Sequence, residues 1–216
     1  MPPHSKLLTG SFIACLLLFL PASSASAQED SFRFEVFAQG GASFFSSASE
    51  TRTLSLRPPV PAAVTFRTKR SFGTTGRLFT GFRYYLTQKN ALEASYSYSP
   101  NRLQVSASSS LFPVPFFFSA PMRVHQGAFN YVRYFSRRGR IQPFATGGLG
   151  FVVFASVFDI DTKFAGNFGG GVDIRLHRRF YLRAEFRDFV SKRPRFSGRG
   201  RVTHNLAPSV GLVFKF

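Results

Sequence analysis

The side chains that most often carry out chemistry are scarce in this 216-residue chain: four histidines, one cysteine and ten carboxylates, set against 28 lysines and arginines. A hydrolase needs a base within reach of its nucleophile and an orienting group beyond that base. His125 sits among Arg123, Val124, Gln126 and Gly127, His177 opens a basic turn, and His204 follows Thr203 with no obvious carboxylate beside it. His4 and Cys15 fall in an N-terminal segment with a different reading. No cluster of His, Asp or Glu has metal-ligand spacing. Neither an enzyme nor a metal or other cofactor is therefore expected, and Gly169-Gly170-Gly171 reads as strand glycine in a curved sheet, not as a phosphate loop.

The carboxylates follow another pattern. Arg33 and Glu35, Asp173 and Arg175, and Arg183, Glu185 and Arg187 stand two apart, the spacing that puts side chains on one face of a β-strand. The intervening positions are apolar. Between 32 and 44 the even residues run Phe32, Phe34, Val36, Ala38, Gly40, Ala42, Phe44, and at 164–176 the even residues run Phe164, Gly166, Phe168, Gly170, Val172, Ile174, Leu176. Shorter alternations occupy 77–86, 91–98 and 181–187, another closes the chain, and 123–135 and 141–154 are strand-like with both faces mixed. Eight strands result. Tight turns at 87–90, 136–140 and 177–180 alternate with longer connections at about 45–75, 99–122, 155–162 and 190–204. An even number of antiparallel strands with short turns at one end and long loops at the other is the pattern of a transmembrane β-barrel.

The N-terminus agrees with export. Residues 1–27 read as a signal peptide: Lys6, an apolar stretch from Leu7 to Leu20, then the small-residue site Ala25-Ser26-Ala27, leaving 28–216 as the barrel domain. Cys15 lies inside the apolar stretch, so the exported chain has no thiol chemistry. The net charge of +18 admits nucleic acid, membrane or polysaccharide partners, but 29 Phe and 18 Gly exclude a disordered basic tail. The cations divide among strands, turns and loops instead of forming one face, which argues against nucleic acid.

Alternation alone does not say which face is inside, and a lipocalin-like barrel or a β-sandwich alternates too. Aromatics near both strand ends (Tyr84, Tyr85, Phe180, Tyr181 and Phe214 on the turn side; Phe44, Phe154 and Phe164 on the loop side) favour two interfacial belts. The segment from Ser209 to Phe216 then carries a polar residue, Gly211 two positions on, Phe214 three later and Phe216. It resembles the C-terminal signal by which bacterial outer-membrane barrels are recognised by their assembly machinery. With Gly81-Phe82-Arg83-Tyr84-Tyr85, Ala91-Leu92-Glu93-Ala94-Ser95-Tyr96 and Ala184-Glu185-Phe186-Arg187, the chain is similar to the small eight-stranded barrels of the outer-membrane protein A and X type. The resemblance implies an all-β, eight-stranded antiparallel transmembrane β-barrel in the outer membrane, expected as a monomer. Some barrels of this size are lipid A-modifying enzymes, but the His and Ser two apart of the deacylases are missing around His125.

In that orientation the lumen receives Arg33, Glu35, Arg77, Arg83, Glu93, Asp173, Arg175, Arg183, Glu185, Arg187 and Lys215. An eight-stranded barrel is only wide enough for side chains to fill. Each carboxylate is therefore expected to meet an Arg, as an ion-pair plug before a gate or proton path. The loops are basic: Arg67, Lys69 and Arg70 in the first, Lys192, Arg193 and Arg195 in the fourth, suited to lipopolysaccharide phosphates. Loop two holds the apolar run Leu111 to Phe118, and Arg57-Pro58-Pro59-Val60-Pro61 favours a stiff connection in loop one. A narrow channel is the second reading of the whole.

Overall fold

The computed structural model describes residues 32–46, 48–55, 63–109, 116–137, 139–156, 159–192 and 202–216. The signal-peptide segment, the proline run of loop one, Leu111 to Pro115, Arg193 and Arg195 lie outside them. Ten strands are described: β1 (Phe34–Phe45), β2 (Ala48–Ser55), β3 (Ala63–Phe72), β4 (Thr75–Tyr85), β5 (Asn90–Ser109), β6 (Phe116–Tyr134), β7 (Ile141–Ser156), β8 (Ile160–Arg175), β9 (Phe180–Lys192) and β10 (Val202–Lys215). Eight of them, β1 and β4 to β10, close into an antiparallel ring, because β1 pairs with both β4 and β10 and β5 pairs with β6. Closure leaves no edge of this ring to present unpaired backbone groups to hydrocarbon.

The other two strands were not expected. β2 and β3 form a hairpin within loop one, and β3 continues onto the upper part of β5, Phe72 opposite Leu103. The expected loop at 99–122 is largely strand as well, since β5 and β6 stay paired from Ser99 and Val124 up to Ala107 and Phe116. The β-branched and aromatic residues there pair well once a neighbouring strand is present, a long-range condition that local alternation does not report.

Closure tilts the strands. From Gln39 the pairing partners run one way through Phe79, Ser97 and Gln126 to Val152, and the other way through Gly211, Arg183 and Asp173 to Gln142. Val152 and Gln142 are ten residues apart on β7. Residues at one height are therefore not direct ladder partners.

Side-chain direction also settles which face meets lipid. Outward residues include Phe129, Phe164 and Leu78, exposed to 76%, 70% and 64%, while Glu35, Arg83, Asp173 and Arg183 are fully buried. A soluble barrel would have the reverse polarity. Both strands with mixed faces resolve: the even residues of β6 and β7, among them Asn130, Tyr134, Gln142 and Phe144, point inward. Tyr85, Tyr181 and Phe154 also point inward, so they leave the interfacial belts that Phe34, Tyr84, Phe180, Phe214 and Phe216 form on the turn side.

Candidate functional site

The turn-side half of the lumen holds one connected network of charges. Arg83 on β4 faces Glu93 on β5 as its ladder partner, with Nε donating to Oε2 at 2.6 Å. Asp173 on β8 and Arg183 on β9 repeat the arrangement, Nε to Oδ1 at 2.6 Å. Arg183 then reaches around the wall to Glu35 on β1, Nη2 to Oε1 at 2.6 Å, and Arg187 reaches across to Glu93, Nη2 to Oε2 at 2.9 Å, while its Nε bonds Glu185 two residues away. Lys215 lies 3.4 Å from Asp173 and 3.6 Å from Glu35. All of these groups are buried. Charges taken out of water are tolerated only when paired and hydrogen-bonded, and that condition is met here by several partners at once.

Neutral groups complete the network. The Tyr134 hydroxyl accepts from Arg83 Nη1 at 2.8 Å and donates to Asp173 Oδ2 at 2.9 Å, and Tyr85 donates to Glu35. Gln39, Asn130 and Gln142 donate to or accept from Glu185, Glu93 and Lys215. Phe37 and Phe144 cover the guanidiniums of Arg83 and Arg183 at centroid distances between 4.4 and 5.6 Å, adding attraction by the ring faces. None of these neutral residues stands out in the sequence by type. The available signal is parity: Tyr85 shares it with Arg83, and Tyr181 with Arg183.

Two expected members stand apart. Arg33 precedes β1 and is exposed; Arg175 ends β8, exposed, its guanidinium 6.0 Å from the Tyr181 ring. At the last rung a side chain of inward parity already reaches bulk water, which solvates a cation at less cost than the crowded lumen. Arg77 is inward but lies above the network, apart from every carboxylate pair described. Of the loop cations, Arg67 and Lys69 sit on alternate residues of β3 and are exposed, as is Lys192 at the end of β9; the backbone of Arg70 is paired with that of Ala48 in the hairpin ladder. Ser209, Gly211 and Phe214 lie on β10, and Phe216 exchanges two backbone hydrogen bonds with Phe34 at 3.0 and 2.9 Å.

Toward the loops the lumen changes character. Phe72, Leu103, Met122, Val124, Val152 and Phe154 form one buried apolar cluster, with Phe45 packed against it. The sequence reading named only the charged inward residues and did not anticipate this layer. The inward face must exclude water as well as pair charge, and apolar contact supplies much of the filling at this height.

His204 also differs from the sequence reading. Its Nδ1 lies 2.6 Å from Oδ2 of Asp188, a carboxylate contributed by the neighbouring strand β9. The hydroxyl nearest in the ladder, Ser46, is turned to the Thr203 hydroxyl at 3.2 Å and the His204 backbone N–H at 3.2 Å. His125 meets the Tyr96 hydroxyl at 2.7 Å on the outer face.

The fold and lumen place the chain among known barrels. It is similar to Neisserial surface protein A, at 13% identity and a TM-score of 0.53, covering 85% of this chain and 97% of that one. Weaker likenesses are to the N-terminal barrel of Pseudomonas aeruginosa OprF (12%, TM-score 0.45, 86% and 98%) and to Ail, the attachment invasion locus protein of Yersinia pestis (11%, TM-score 0.46, 85% and 99%). No curated protein matches it in sequence. The model of the outer membrane protein beta-barrel domain matches residues 12–216. With a closed ring of eight strands, an apolar outer face and an ion-paired lumen, the chain belongs to the outer membrane protein β-barrel domain family and is a bacterial outer-membrane protein.

Proposed function

We propose that this protein is a closed structural and surface-interaction barrel, not an enzyme, with a lumen plugged by ion pairs and basic loops that contact lipopolysaccharide. The observation that carries the reading is the double obstruction of the lumen. A pore would have to pass the fully buried charges around Arg83, Arg183 and Glu35 and also the apolar layer around Val152 and Phe154. Purified protein in planar bilayers is expected to show no steady conductance. Reproducible large single-channel steps would overturn the plug and promote the narrow gated channel.

Arg67 and Lys69, exposed on alternate residues of β3, and Lys192 on β9 support the loop reading. Arg is suited to phosphate because its planar fork forms paired hydrogen bonds. Neutralising Arg67, Lys69 and Arg70, or Lys192, Arg193 and Arg195, is expected to weaken lipopolysaccharide binding and flatten its salt dependence, since attraction between exposed charges is screened over roughly 8–10 Å at moderate ionic strength. Binding unchanged at low salt would leave these residues as solvated charge.

Ser209, Gly211, Phe214 and Phe216 are proposed as the segment that the assembly machinery reads. Phe216 adds a ring stacked on Phe34 and Phe214 at 5.9 Å from each, a modest contact. Phe216→Ala is expected to lower outer-membrane yield in cells several-fold while refolding into lipid vesicles stays near wild type. Equal losses in both assays would reduce Phe216 to a member of the aromatic belt.

A further inference from the structure

Between the charged network and the apolar cluster lies a layer of short inward side chains, among them Ser43, Ser97, Ala128, Gly150 and Ala207. Arg77 extends into it. The guanidinium lies over the rings of Phe79 and Phe189, at 4.8 and 4.7 Å from their centroids. Its Nε and Nη2 have no hydrogen-bond partner although the residue is 95% buried.

Two further side chains present donors to the same layer. Gln126 accepts the Ser97 hydroxyl on Oε1 at 3.0 Å, and Asn205 accepts the Ser43 hydroxyl on Oδ1 at 2.7 Å. Their oxygens are thereby fixed, and Nε2 of Gln126 and Nδ2 of Asn205 lack acceptors. Both stand beside the rings that Arg77 lies over: Asn205 is the ladder partner of Phe189, and Ser97 is the partner of both Phe79 and Gln126. The charge count agrees. Among the described residues, the buried cations Arg77, Arg83, Arg183, Arg187 and Lys215 share Glu35, Glu93, Asp173 and Glu185, and Glu185, the carboxylate that acts electrostatically on Arg77, is already bonded to Arg187 and Gln39. Asp161 pairs with Lys163 near the loop end, and Asp188 pairs with His204 on the outer face.

We propose that this layer holds a binding site for a small inorganic anion of the halide class, formed by the edge of Arg77 and the amide groups of Gln126 and Asn205. A buried cation whose carboxylate neighbour is already committed to another cation is costly, and free N–H donors in the same layer are what a dehydrated anion needs. The ladder between β4 and β5 stops at Leu78 and Tyr98, where Pro100 has no N–H to offer, and a cavity of about 830 Å³ lined by Thr75, Tyr98, Pro100, Asn101, Met122 and Arg123 lies at that gap. The charged network closes the path toward the turns, so the site is a dead end and not part of a conduit.

The test uses the folded barrel in detergent. Crystals soaked in bromide are expected to show an anomalous peak against Arg77. Exchanging gluconate for chloride at constant ionic strength should raise the unfolding temperature by a few degrees, saturably, because an ion that binds only the folded state stabilises it by mass action. Arg77→Gln should abolish both responses. Gln126→Glu, which supplies an anion from within, should fold without chloride and ignore its addition. Absence of bromide at Arg77, or a chloride response retained in either variant, overturns the proposal.

Discussion

Replacing Glu93 by Gln is expected to cost the folded barrel about 3–5 kcal/mol, the usual penalty for removing one member of a buried charge pair. The size follows from what Glu93 holds. Its carboxylate accepts Arg83 Nε at 2.6 Å, Arg187 Nη2 at 2.9 Å and Asn130 Nδ2 at 2.8 Å, all within a fully buried layer. The amide keeps the shape and leaves two guanidiniums short of charge. Urea titration of the barrel in detergent, read by gel mobility without boiling, measures the loss. The double variant Glu93→Gln with Arg187→Gln should recover part of it, because the uncompensated cation is removed together with its partner. A midpoint equal to wild type for the single variant would mean that the network carries no stability and the lumen is held by its apolar layer alone.

Adjacent glycines should respond in opposite ways to a single methyl group. Gly148 points inward on β7, and a Cβ there would overlap the Phe129 carbonyl oxygen and the Asn130 side chain on β6. Neither can retreat cheaply: the first belongs to the β6–β7 ladder, and Asn130 holds Glu93 and accepts from Asn167 at 2.7 Å. Gly147 points outward, where the nearest atom to a Cβ is the Asn167 carbonyl oxygen at 3.8 Å. Gly148→Ala is expected to lose about 1–3 kcal/mol, the range for overpacking in a tight interior, and Gly147→Ala to stay near wild type. Refolding yield and urea midpoints of the two variants decide it. Equal behaviour would show that β6 and β7 shift easily and that glycine on the inner face is not needed for curvature.

The periodicity of two within each strand made most of the barrel legible. It identified the even face of β1 and β8 as apolar, placed Glu35, Asp173, Arg183, Glu185 and Arg187 on one side of their strands, and located the three tight turns. It was silent where both faces are mixed, as in β6 and β7, and where a strand exists only because a distant one pairs with it, as β3 does with the upper part of β5. Asp188 and His204 show the same limit: sixteen residues separate them in the chain, yet they lie 2.6 Å apart across two strands.

What the amino-acid sequence by itself determined is the side of each strand that carries charge, because side-chain parity is a local property of an extended backbone. Which charges meet was decided only by the tertiary structure. The shift of ten residues on going round the ring tilts the strands, so that Arg187 reaches Glu93 and Arg183 reaches Glu35 instead of a partner at the same position along the chain. The same tilt sets Arg77 against the rings of Phe79 and Phe189, and raises Val152 and Phe154 into an apolar layer above it. Register between strands depends on closure of the whole ring, and no single strand contains it.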